Sequence, residues 1–110
     1  STSPDIVRYA IQVWYDPATP TTLLQEVILE SLDSFRTEQW FGGMIYSSAF
    51  LNSITRVPGV VTAKLATLEH KAEPDTCFQS IDVSSELYAG YFNYADDCSI
   101  ELINIKEIIG

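Results

Sequence analysis

The stretch at residues 41–61, FGGMIYSSAFLNSITRVPGVV, constrains the fold more than any other part of the chain. Two adjacent glycines, Gly42 and Gly43, supply a turn in which positive φ costs little. Met44, Ile45 and Tyr46 then read as a brief extended piece. Ser47 or Ser48 is placed to cap a helix whose buried stripe would be Phe50, Leu51, Ile54 and Val57. Pro58 and Gly59 end that helix, and Val60 opens a strand over residues 60–68. There Val61, Ala63 and Leu65 alternate with Thr62 and Lys64. Such dense punctuation suits a compact scaffold, and it contains no nucleophile motif, metal-ligand spacing or phosphate cradle.

Upstream, residues 6–15 alternate strictly. Val7, Tyr9, Ile11, Val13 and Tyr15 share one face, all apolar or aromatic, and should point to the core. The other face carries Ile6, Arg8, Ala10, Gln12 and Trp14, a mixed set suited to an exposed or interface-forming surface. Asp16-Pro17-Ala18-Thr19-Pro20 breaks the strand. A helix follows, capped by Thr19 ahead of Pro20 or by Thr22 with Gln25 in capping-box form. Leu24, Val27, Ile28, Leu32 and Phe35 keep helical spacing to about Arg36, with Gln25, Glu26, Glu30 and Asp33 on the wet side.

Residues 69–80 are polar and read as a loop. Beyond them, residues 81–83 and 87–94 look extended, and residues 99–109 look like a closing strand after an Ala95-Asp96-Asp97 turn. Segments 87–94 and 99–105 are expected to pair as a hairpin. The expected order is strand, helix, short strand, helix, strand, loop, hairpin. Burying both helical stripes most simply gives an α+β two-layer sandwich, a largely antiparallel sheet with two helices on one face.

One domain of 110 residues is long enough for a single core, and the chain reads as a domain excised from a longer parent. A net charge of −9, with only six Lys and Arg, opposes nucleic-acid binding and anionic membrane surfaces. No apolar run approaches the roughly 18 residues of a membrane helix, and no signal peptide is apparent at the N-terminus. Cys77 and Cys98 could pair or stay reduced, and are too few for a disulfide framework or a structural zinc site. No cofactor is implied.

Candidate chemistry is thin. His70, the sole histidine, has Glu69, Glu73 and Asp75 nearby in sequence and reads as a solvated loop side chain rather than a base or ligand. A Cys77–His70 nucleophile pair is opposed by the acidic surroundings, which disfavour a thiolate. Asp96 and Asp97 lack the alternating oxygen ligands of a calcium loop and suit a turn. Ser47 and Ser48 lack the flanking glycines of a nucleophile elbow. No catalytic, metal or cofactor-binding residue is therefore assigned, and the chain is read as a non-enzyme.

The aromatics are the better candidates. Trp14 projects from the mixed strand face and Trp40 follows the first helix. Within 87–94, alternation puts Tyr88 and Phe92 on one side and Tyr91 on the other. Aromatics on both faces fit a protein interface made by Trp14, Trp40, Tyr88, Tyr91 and Phe92, ahead of a core filling or a sugar platform.

Taken in order, Asp16-Pro17, the helix at 21–35, Gly42-Gly43-Met44-Ile45-Tyr46-Ser47, the helix to Val57-Pro58-Gly59-Val60-Val61, and Glu86-Leu87-Tyr88-Ala89-Gly90-Tyr91-Phe92 leading into Ile100-Glu101-Leu102 make a pattern. It resembles the C-terminal part of baseplate J-like proteins, wedge components of contractile phage tails and related injection devices. The resemblance spans nearly all of this chain but only the last third or so of a typical family member. It implies a structural role in the virion tail baseplate, assembled in the bacterial cytoplasm. The implied partners are sister wedge or other baseplate subunits, with self-association a further contact, and no functional residue is transferred. The acidic segment 69–80 with Cys77 departs from the family pattern. The alternative function is a small ligand-binding or regulatory α+β module using the cleft between sheet and helices.

Overall fold

A computed structural model describes residues 3–38 and 42–106. It shows a two-layer α+β domain with two helices over a mixed, mostly antiparallel sheet. Strand β1 (Asp5–Tyr15) is followed by α1 (Thr21–Thr37), β2 (Met44–Tyr46), α2 (Ser47–Thr55) and β3 (Val60–Lys71). The remaining strands are β4 (Gln79–Ser80), β5 (Ser84–Glu86), β6 (Phe92–Tyr94) and β7 (Ser99–Asn104).

The odd-numbered face of β1 forms the floor of the core, with Val7, Tyr9, Ile11 and Val13 all buried. Leu24, Ile28 and Leu32 of α1 and Phe50 and Ile54 of α2 close it from above. Among the described residues the even face of β1 carries no helix, and it stays half-exposed throughout. That division follows from the alternation: the helices pack where every side chain is apolar.

Both helices start without the expected caps. The cap position of α1 is Pro20 and that of α2 is Tyr46, and neither helix has a side-chain cap bond. Ser47 instead directs its hydroxyl and its amide to the Val83 carbonyl, at 3.1 and 3.0 Å, and so fastens α2 to the segment before β5. Asp16 accepts from Ala18 N–H at 2.9 Å, an Asx turn that brings the chain round to α1. Gly59, at φ +97°, sits so close to this turn that a Cβ would lie 2.7 Å from the Thr19 side chain.

β3 is longer than expected and does not keep one alternation. Its antiparallel register with β1 slips twice: Ala10 and Ile11 face Thr67 and Leu65, while Trp14 and Tyr15 face Thr62 and Val60. Val61 and Ala66 are the extra residues, and each reverses the side to which the following side chains point. The inward row is therefore Val60, Ala63, Leu65, Leu68 and His70, opposite Tyr15, Val13, Ile11, Tyr9 and Val7. Val61, which the alternation groups with Ala63 and Leu65, is 54% exposed.

Segment 69–80 is only partly a loop, since β3 runs to Lys71 and β4 returns along Glu69 and His70. No hairpin joins 87–94 to 99–105. β6 and β7 both lie parallel to β1, on the same edge, β6 against Asp5–Val7 and β7 against Ala10–Tyr15. β1 is long enough to hold two short strands end to end. Of the segments read as extended, 81–83 forms no strand and its Ile81 is buried; β5, which falls between 81–83 and 87–94, pairs with β2 in a separate two-stranded sheet. Residues 107–109 of the expected closing strand lie outside the described residues.

Candidate interaction surface

Asp5 opens β1 and is 1% exposed. Its amide donates to the Tyr91 carbonyl at 3.0 Å, which starts the pairing with β6. Its carboxylate receives the amides of Tyr88 and Ala89 at 3.0 and 2.9 Å. His70 Nδ1 lies 3.2 Å from the same carboxylate. A carboxylate only accepts, so this contact places a proton on Nδ1. His70 is 2% exposed, not solvated in a loop, because the Ala66 bulge turns it inward. One buried carboxylate thus ties together the start of β1, the end of β3 and the turn at 88–89.

The His70 ring stacks beneath Tyr88, with centroids 5.6 Å apart and planes at 30°. Leu87, buried, donates its amide to the Gly43 carbonyl at 2.8 Å. Gly43 and Gly90 both have positive φ, and a Cβ on Gly43 would stand 3.1 Å from the Gly90 backbone. The 87–91 turn is therefore clamped on both sides. What it presents outward is Tyr88, 58% exposed, and Tyr91, 48% exposed. Tyr46 and Val83, the latter 72% exposed, flank the β2–β5 sheet that leads into this turn. Exposed apolar residues mark a binding surface when they form one contiguous patch, and Tyr88 and Tyr91 share this one turn.

The other sequence candidates divide. Trp14 is half-buried on the uncovered sheet face, between Thr62 of β3 and Ile103 of β7. Trp40 lies outside the described residues. Phe92 is corrected to a core residue: it is 1% exposed and packs against Phe35 and Tyr94 with centroids 6.3 and 5.3 Å away. The alternation that grouped it with Tyr88 fails because 87–91 is a turn, not a strand. Nothing in local sequence marks Asp5, whose partners lie 65 to 84 residues away.

The thiols take separate roles. Cys98 fills the gap between β6 and β7, where its Sγ accepts from Tyr9 N–H at 3.5 Å and donates to the Val7 carbonyl at 3.7 Å. Burial pushes this thiol's pKa up, which keeps the donated proton in place. Cys77 is exposed, and neither cysteine is in a disulfide. His70 is buried against Asp5 while Cys77 is exposed, so the structure gives no support to the Cys77–His70 pair that the acidic surroundings already disfavoured. Among the described residues no group of three His, Cys, Asp or Glu side chains is placed to hold a metal ion. Nor is any described helix long and apolar enough to cross a membrane.

Ser3, Asp5, Glu73, Pro74, Tyr88 and Ala89 border a shallow cavity of about 320 Å³ beside the clamped turn. At its centre the space between helices and sheet is filled by the core side chains. Comparison of the chain with protein-family models and with curated proteins gives no match.

Proposed function

We propose that this chain is a structural assembly domain of a phage or prophage-type tail baseplate, acting through protein–protein contacts with neighbouring baseplate or wedge subunits. The observation that carries this reading is the clamped turn bearing Tyr88 and Tyr91. Both rings are about half exposed, yet their backbone is fixed by Asp5 and Gly43. An aromatic already ordered before binding loses little freedom on docking, so most of its buried area contributes to affinity. The resemblance of the residue pattern to baseplate J-like proteins favours the same reading, and Gly43 and Gly90 are two of the positions that carry it. Stable contacts of this kind bury roughly 800 Å² per partner.

The first test is genomic: genes for tail tube, sheath or hub proteins beside this one support it, and an operon of metabolic genes counts against it. The second is biochemical. Tyr88→Ala and Tyr91→Ala should each weaken association with the purified neighbouring wedge subunit by roughly tenfold or more, at an unchanged melting temperature. Unchanged association in both variants removes the proposal. A ligand-binding module would have to use the shallow cavity beside Tyr88 or the open groove between α1 and β7, since the centre of the cleft between the layers is packed.

A further inference from the structure

The two long edges of the main sheet differ in how they meet solvent. β3 carries two bulges and Lys64, and its far end is covered by β4. Those are the usual devices that keep an edge from pairing with another chain. β7 has none: its six residues, SIELIN, contain no Pro, Gly or Lys, and its register with β1 is unbroken. Among the described residues β7 pairs only with β1.

Its unpaired backbone groups can be named. The Ile105 amide donates to the Tyr15 carbonyl at 3.0 Å. In a parallel ladder the bonding residues of one strand alternate, so Glu101 and Ile103 also turn their amides and carbonyls to β1. Ile100, Leu102 and Asn104 turn theirs outward.

The layer above this edge is also unfinished. Ile100 and Leu102 lie opposite Ile11 and Val13, so they face the helices, yet both are only partly buried. Leu29 of α1 is 45% exposed. Between them runs a groove of about 470 Å³ lined by Tyr15, Gln25, Glu26, Leu29 and Leu102 among others. A strand laid along β7 would therefore find backbone partners and an apolar slot for every second side chain.

Charge selects the occupant. The groove contains Glu26 and no Lys or Arg. Glu101 projects from β7 on the uncovered face, held by Gln12 at 3.1 Å and in no ion pair among the described residues. A second copy of a chain with net charge −9 would bring like charge to like.

We infer that the β7 edge is a strand-addition site for an extended partner segment in which apolar residues alternate with Lys or Arg. Main-chain bonds to Ile100, Leu102 and Asn104 supply affinity, and alternate side chains enter the groove under α1. This surface lies apart from the Tyr88 turn and does not depend on the baseplate reading.

The test uses the full chain and a synthetic peptide of alternating Lys and Val, with a Glu–Val peptide as control, followed by amide hydrogen exchange. The Lys–Val peptide should slow exchange at Leu102 and Asn104 and leave Glu101 and Ile103, already bonded, unchanged. Glu101→Lys should weaken that binding roughly fivefold, and added salt should weaken it in the wild type. Peptide binding without protection of Leu102 and Asn104 overturns strand addition. Equal binding of both peptides overturns the charge assignment. Concentration-dependent dimerisation that protects the same amides would replace the basic segment by a second copy.

Discussion

The two sides of β1 solve one problem in different ways. On the β3 side the ladder is continuous and antiparallel, and its misfits are absorbed by inserting residues, Val61 and Ala66. On the other side the ladder is broken between β6 and β7, and side chains stand in for the missing strand. Asp5 holds the turn before β6, and Cys98 takes over Tyr9 N–H and the Val7 carbonyl at the break. A bulge leaves one residue unpaired, lets the ladder resume beyond it, and reverses the inward side. A side-chain patch keeps the inward side but depends on one specific atom. The first side should therefore be sensitive to chain length and the second to side-chain identity.

Inserting one alanine between Thr67 and Leu68 tests the first half of that contrast and should have the largest effect. Counted on from the Thr67–Ala10 pair, Leu68 then falls opposite Arg8 and His70 opposite Ile6, both on the uncovered face, while Glu69 turns toward Val7 in the core. Leu68 would lose about 1.5–3 kcal/mol of burial. Asp5 would lose one of its donors, and a carboxylate would enter an apolar core. Together these approach the whole stability of a domain this size, about 5–15 kcal/mol. Loss of the cooperative urea transition is expected; a wild-type transition would show that the register can slide without harm.

Asp5→Ala comes next. It removes the acceptor for two backbone amides and leaves His70 buried beside an apolar gap. A destabilisation of about 3 kcal/mol is expected from urea unfolding, since two N–H groups and one imidazole lose their partner. The same variant should release the 87–91 turn, seen as faster exchange at the Tyr88 and Ala89 amides. If stability falls without that acceleration, Asp5 acts on β1 alone and the side-chain patch is less local than described.

The contrast also explains what could be read from the sequence. β1, both helices and β2 were legible because their patterns are local: an unbroken alternation, a helical stripe and a Gly-Gly turn before three apolar residues. The caps were not, because Ser47 is bonded to Val83, 36 residues away. The inward row of β3 was lost at two bulges, which no period of two can register. His70 looked solvated because its neighbours in sequence are acidic and its partner lies at the other end of the chain. Of the surface candidates, Tyr88 and Tyr91 are exposed and Trp14 half-buried, whereas Phe92 is inside because a turn resets the alternation. Phe78, read only as loop, lies under Arg8, whose guanidinium carbon sits 4.0 Å from the ring centroid. That pairing depends on β4 folding the chain back over the sheet, which polar composition conceals.

The smallest effect belongs to Cys98, and it is the sharper probe of the patched side. Cys98→Ala leaves Tyr9 N–H without its acceptor and Val7 with one donor, the Ala95 amide at 2.9 Å, instead of two. Sulfur bonds are weak, so a cost of about 1 kcal/mol is expected. Cys98→Ser offers an equivalent donor and acceptor on a shorter arm and should recover part of it, whereas Cys98→Val fills the space and recovers none of the bonding. Urea midpoints in the order Cys, Ser, then Ala and Val would mean the thiol works through its bonds. The order Cys, Val, then Ser and Ala would mean that it works by filling volume. In that case the break between β6 and β7 is sealed by packing, and the two sides of β1 differ less than their ladders suggest.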